Sequence, residues 1–218
     1  DECIQVYNNI LSINTDDADV MIQLGAIHYE LKNYIKSINY YNNSIECNGG
    51  SKEIFYNLAL SYVENRDFLQ ALIAFKRASS FDPEDELIQF QIGITLTELE
   101  LFNKALPYFL KYNINDPDSI FMVGLCYVKI NEYEKALEYF DLYLKFKEPN
   151  QELNYYKGLC LFAKEDFKSA AKLFKKLIKD DENNSDAIYK LGICYVELNK
   201  MREAKKILNN LYYLDMDL

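Results

Sequence analysis

The sequence predicts an all-α fold, a stack of helical hairpins, and three observations carry that expectation. First, a short pattern recurs at fixed spacing. Val123-Gly124-Leu125-Cys126-Tyr127 followed by Ala136-x3-Phe140 returns 34 residues later as Lys157-Gly158-Leu159-Cys160-Leu161 with Ala170-x3-Phe174, and again as Leu191-Gly192-Ile193-Cys194-Tyr195 with Ala204-x3-Leu208. The register continues backwards through Ile92-Gly93 with Ala105-x3-Phe109, Leu58-Ala59 with Ala71-x3-Phe75, and Leu24-Gly25 with Ser37-x3-Tyr41. A period in this range marks stacked repeats, each too small to bury its own apolar face. Second, each period splits into two runs of helical spacing: Phe55, Leu58, Ala59 and Tyr62, then Phe68, Ala71, Phe75 and Ala78, separated by the polar turn Glu64-Asn65-Arg66-Asp67. Third, there are only seven Gly and four Pro in 218 residues, and no run reads as a flexible linker.

Taken in order, residues 1–17 carry Cys3-x3-Tyr7-x2-Ile10, the second-helix pattern alone, and read as the orphan second helix of a truncated repeat. Units of helix–turn–helix follow at 18–51, 52–85, 86–116, 117–150, 151–184 and 185–218, stacked as one solenoid. Asp82-Pro83 closes the second unit, because the residue before proline is pushed out of helix. The third unit breaks the period: Gly93 to Gly124 is 31 residues. Aligning Pro117 with Pro83 puts the missing three residues just after Pro117, nearly one helical turn. The same unit carries Pro107 inside its second helix, where it removes a backbone donor. Either the stacking angle changes between the third and fourth units, or a shorter first helix absorbs the loss. The last helix carries Ile207, Leu208, Leu211 and Leu214 with no polar cap after it. Both ends therefore read as cut from a longer protein, and self-association through them is one expectation.

Composition narrows function. Half the residues are hydrophobic and 27% charged, which suits a folded chain. The net charge of −10 repels phosphate backbones, so no nucleic-acid partner is expected. No apolar run approaches the ~18–20 residues of a membrane span, so no membrane insertion is expected. Of the five cysteines, Cys126, Cys160 and Cys194 share one register. Neighbouring repeats place such residues ~10 Å apart, too far for a disulfide or a shared tetrahedral zinc. They read as small buried side chains, and free thiols point to a reducing, cytoplasmic setting. The single histidine, His28, falls at an inward position, and no second histidine exists to build a metal site. No glycine-rich loop resembles a phosphate cradle. The expectation is therefore no catalysis, no cofactor and no metal.

The period and its residues resemble the tetratricopeptide repeat, whose pattern runs W-x2-L-G-x2-Y, then A-x3-F, then P. The resemblance covers nearly the whole chain. The family's Trp position is filled by Met21, Phe55, Gln89, Ile120, Asn154 and Ile188, so Gln89 and Asn154 put polar groups where a large apolar one is usual. The Gly position holds Gly25, Ala59, Gly93, Gly124, Gly158 and Gly192. The resemblance implies a right-handed α-solenoid that serves as a protein-interaction scaffold, with ligands lying on the concave wall made by the first helices.

Carried onto this register, that wall holds three rows. The candidate groove residues are Tyr56, Phe90, Phe121, Tyr155 and Tyr189 in the first row, Leu60, Ile94, Leu125, Leu159 and Ile193 in the second, and Phe162 in the third. The rim is acidic: Glu53, Asp118, Glu152 and Asp186 on one side, Glu64 and Glu98 on the other. Relatives that grip acidic chaperone tails use Lys, Asn and Arg on these positions. Here they are aromatic or aliphatic, and Lys129 alone among them is basic, so no acidic chaperone-tail clamp is expected. An apolar wall of this kind calls for an occupant. The expected ligand is an apolar or amphipathic protein segment with basic flanks, drawn in by the acidic rim. Two further readings stand beside it: an assembly module joined through its ends, and a chaperone shielding apolar export segments.

Overall fold

The computed structural model describes residues 2–111 and 116–214, with side chains as far as Asn209. All regular structure among these residues is helical, and the helices fall into two compact units, Asp1–Asn113 and Ile114–Leu218. The first unit holds α1 (Glu2–Ile13), α2 (Ala18–Glu30), α3 (Tyr34–Asn48), α4 (Lys52–Glu64), α5 (Phe68–Ser79), α6 (Glu86–Glu98) and α7 (Phe102–Lys111). The second holds α8 (Pro117–Lys129), α9 (Tyr133–Tyr143), α10 (Gln151–Ala163), α11 (Phe167–Asp180), α12 (Ser185–Glu197) and α13 (Met201–Leu214). Within each unit every helix packs on its neighbours in sequence, as in a solenoid, where contacts are local.

The polar residues before each first helix set where it begins. Asp17, Ser51, Asp85, Asp116, Asn150 and Asn184 each accept a hydrogen bond from the backbone N–H three residues on, at 2.7–3.3 Å. Such caps satisfy one of the orphan donors of a helix start and contribute about 1 kcal/mol each. The turns inside the hairpins are equally regular. Lys32, Arg66, Glu100, Asn131, Glu165 and Asn199 all adopt left-handed φ, between 56° and 64°. The following N–H returns to the carbonyl five residues back, as Asp166 N to Leu161 O at 2.9 Å, which closes the first helix in a Schellman motif.

Hairpins are held by a repeated close approach. The ring of Tyr41, Phe109, Phe140 or Phe174 lies directly on Gly25, Gly93, Gly124 or Gly158 of the preceding helix. A methyl group built on Gly124 would sit 2.6 Å from the Phe140 ring, far inside contact distance. Phe109, Phe140 and Phe174 are 0% exposed, so they cannot swing away. In α4 the position is Ala59, also fully buried, and that hairpin accommodates one extra carbon beside Phe75. Gln89 resolves its polar misfit by donating from Nε2 to Ser79 Oγ at 2.7 Å and to the Pro83 carbonyl at 2.8 Å.

The short period does not come from a shortened first helix. α8 is 13 residues long, as are α2, α4, α6, α10 and α12. Pro117 is the first residue of α8, whereas Pro83 lies two residues before the Asp85 cap of α6. The two prolines are not equivalent, and the three residues are missing between Ala105 of α7 and Pro117, an interval of 12 residues against 15 from Ala71 of α5 to Glu86 of α6. Proline is tolerated at a first helical position because its absent N–H has no partner there anyway. The expected change of stacking falls on residues 112–115, outside the described residues. α7 continues through Pro107 to Lys111. The apolar face around Leu211 and Leu214 lies beyond the described side chains. α1 buries none of its side chains, and Val6 and Ile13 are 56% and 88% exposed.

Two stability predictions follow from these contacts. Gly124→Val should lower stability by roughly 1–3 kcal/mol, the usual cost of overpacking a filled core. Glu165→Gly should instead raise it by about 1 kcal/mol, because glycine adopts the left-handed turn without the Cβ clash that an L side chain suffers. Urea unfolding followed by circular dichroism measures both, and the opposite signs distinguish them from a general effect of mutation.

Candidate functional site

The exposed wall of each unit is built from its first helices. In the second unit these are α8, α10 and α12, and α8 touches α10 directly. The second row, Leu125, Leu159 and Ile193, repeats once per helix and is half-buried throughout. Tyr189 is 49% exposed and Val196 38%. Asp118, Glu152 and Asp186, at the starts of the three helices, are exposed. In the first unit the corresponding residues Tyr56, Leu60, Phe90 and Ile94 are half-buried, and Glu53, Glu64 and Glu98 are exposed.

None of the eleven predicted groove residues is fully buried, but most are not free either. Tyr56, Phe90 and Phe121 each pack on a ring of the second helix of their own hairpin, Phe75, Phe109 and Phe140, edge-on or tilted with centroids 5.5–5.7 Å apart. Leu159, Tyr155 and Phe162 pack against the core formed by Ala170, Phe174 and Leu191. These candidate groove residues therefore serve the wall and the packing between helices at once. Tyr189 is more exposed, and its hairpin carries Leu208 where the others carry an aromatic ring.

Two clefts lie on the wall of the first unit. One of about 260 Å³ is lined by Lys52, Glu53, Tyr56, Asn57, Asp85, Leu87 and Ile88. A second of about 220 Å³ is lined by Ala26, Tyr29, Glu30, Tyr41, Asn57 and Leu60. Asn57 lines both, a position that the sequence reasoning missed. It follows the aromatic Tyr56 by one residue, and the same step in other hairpins gives Gln91, Tyr156 and Lys190, so no single chemistry marks the row. At the mouth of the larger cleft Lys52 pairs with Asp85 at 3.0 Å and Asp82 at 3.5 Å. Lys52 and, less strongly, the N–H groups that Asp85 caps hold the Asp85 carboxyl below its usual range.

Charge also reaches into the wall of the second unit. The Lys190 ammonium lies 5.2 Å from the centre of the Phe162 ring, a cation–π contact. Burial, then the neighbouring Asp186 carboxylate, pushes the Tyr155 hydroxyl up to about 12. The acidic rim is thus partly engaged with the aromatic floor. The thiols on the other side of these helices are inert by environment. Cys126, Cys160 and Cys194 are free and 0% exposed, and burial raises the first two to about 12 and the third to about 11. His28 is buried and stacks on Tyr40 at 5.4 Å, its Nδ1 has no partner, and burial followed by Lys36 holds it below the usual imidazole range. No described helix is long and apolar enough to cross a membrane.

Comparison with known proteins agrees with this geometry. Tetratricopeptide repeat family models match residues 18–48, 52–85, 117–150 and 161–213. No curated protein matches the sequence. Among solved structures, the C-terminal part of a repeat-containing protein of this kind from Cytophaga hutchinsonii superposes with TM-score 0.74 at 19% identity, over 97% of this chain and 89% of that one. A tetratricopeptide repeat protein from Parabacteroides merdae gives 0.73 at 16% identity, over 91% and 84%. PilF of Pseudomonas aeruginosa gives 0.68 at 16% identity, over 90% and 91%. At these identities the likeness establishes the fold alone.

Proposed function

We propose a peptide-capturing role for this chain, which belongs to the tetratricopeptide repeat family, a fold that generally serves non-catalytic protein interaction. The ligand is an amphipathic protein segment with basic flanks, and the wall of first helices holds it. One observation carries the reading. Leu125, Leu159 and Ile193 stand half-buried in one row along α8, α10 and α12, with the exposed acids Asp118, Glu152 and Asp186 beside them. Three helices give two spacings of ~10 Å each, a row ~20 Å long. An extended segment rises about 3.3 Å per residue, so ~6 residues span it. Alternating apolar side chains would enter between the helices while Lys or Arg between them meet the rim. Long-range charge steers such a ligand and is weakened by salt, whereas the apolar floor supplies affinity that salt hardly touches. The clefts beside Tyr56 and Leu60 offer the first unit equivalent anchor points. The buried, unpaired thiols fit a cytoplasmic setting.

Because Leu159 also packs on the core, a charge there would unfold the site as well as empty it. Leu125→Asn with Leu159→Asn is the cleaner test, since both are half-exposed and close in volume. With a fluorescein-labelled peptide of about six alternating Leu and Lys, the double variant should bind roughly 30–100-fold more weakly, the loss of ~1–1.5 kcal/mol of apolar burial per leucine. The helical circular dichroism should be retained. Equal affinity of wild type and variant, with both folded, would remove the wall from the account.

A further inference from the structure

The second unit carries another surface, on a second helix. Every exposed residue of α11 from Phe167 to Lys179 is a lysine: Lys168, Lys172, Lys175, Lys176 and Lys179. Four of them follow the spacing i, i+4, i+7, i+11, which places them in one stripe along the helix. Arg202 and Lys206, also exposed, hold the registers of Lys168 and Lys172 on α13. In a chain of net charge −10, so uniform a cationic face is not background.

The preceding hairpin shows what a spent charge pattern looks like. α9 has Glu134, Glu138 and Asp141 where α11 has Lys168, Lys172 and Lys175, and Lys164, which caps α10, and Lys157 within it pair with Glu134 and Asp141. No lysine of α11 takes part in an ion pair among the described residues. Of the acids that flank these lysines, Asp166 is turned to the helix start, where it accepts from Ser169 N at 3.1 Å, and Asp180 is the last residue of the helix.

We propose that this face docks a short acidic segment, rich in Asp or Glu, of a partner protein. Charge complementarity selects an anion, and the ends of the stripe limit its length. From Lys168 to Lys179 the helix rises ~16 Å, which about five extended residues would match. Glu165 and Asp166 stand just before the stripe, and Asp180, Asp181 and Glu182 just after it. An anion that continues, such as a nucleic-acid backbone or a membrane plane, meets these carboxylates and is repelled. The same logic separates the two surfaces of the unit: the acid-rimmed wall of first helices turns an acidic segment away, and the α11 face turns a basic one away.

The test is fluorescence anisotropy with labelled pentaglutamate at about 20 mM salt, where screening is weak. The full chain should bind it saturably. The triple reversal Lys168→Glu, Lys172→Glu and Lys175→Glu should weaken binding at least about tenfold, as three exposed pairs turn repulsive. The control reversal Lys145→Glu with Lys147→Glu, exposed in the α9–α10 connection, should leave it unchanged. All the altered side chains are exposed, so retained helical signal is expected in each variant. No binding by the wild type, equal binding by the triple reversal, or tighter binding to a single-stranded oligonucleotide or to phosphatidylserine vesicles would overturn the proposal.

Discussion

The approach of an aromatic ring onto a glycine, one helix against the next, is the contact on which four of the hairpins depend. Gly93, Gly124 and Gly158 lie so close beneath Phe109, Phe140 and Phe174 that no side chain fits between them. That proximity fixes how the two helices of a hairpin cross and which residues are left outside. Once the ring is seated, the thiol at Cys126 or Cys160 must be interior, and the leucine beside it, Leu125 or Leu159, must sit at the edge of the wall. Helix capping and the left-handed turns then repeat the same geometry at each step, so small local rules add up to an extended surface.

The wall therefore has two duties. Tyr56, Phe90 and Phe121 pack on a ring of the second helix of their hairpin and remain partly exposed. This arrangement pre-orders the aromatic floor, since a ring already packed on one side loses little freedom when a ligand covers the other. It also means that binding and stability are coupled at those positions, while Leu125, Ile193 and Tyr189 are freer to vary. Tyr189 is the instructive case. With Leu208 beneath Gly192 in place of a ring, the aromatic above it is 49% exposed.

Much of this was legible in the sequence, because the period is carried by residues whose physical role is narrow. Gly124 and Phe140 predict a close helix pair, and Cys126, Cys160 and Cys194 in one register predict buried thiols. The turns were not legible as left-handed, since Lys32, Arg66 and Glu165 give no glycine signal; only the Schellman hydrogen bonds identify them. The short period was misread for a related reason. Proline marks a helix start equally well from inside or just outside it, and Pro117 stands eight residues after Phe109 just as Pro83 stands eight after Phe75, so spacing alone pairs them. The degree to which groove residues are shared with the core depends on contacts between helices, which periodicity ranks but does not resolve. Asn57 escaped notice because a lone amide carries no pattern, and its place between two clefts exists only once α2, α4 and α6 are side by side.

The central claim is that the two kinds of helix present surfaces of opposite chemistry, first helices for a basic amphipathic segment and α11 for an acidic one. Hydrogen–deuterium exchange with each peptide in turn tests it most directly. The alternating Leu–Lys peptide should slow exchange in α8, α10 and α12 and leave α11 unchanged, and pentaglutamate should do the reverse, because a ligand stabilises local opening only where it is bound. Protection by the Leu–Lys peptide confined to α9 and α11, or the same pattern from both peptides, would contradict the account.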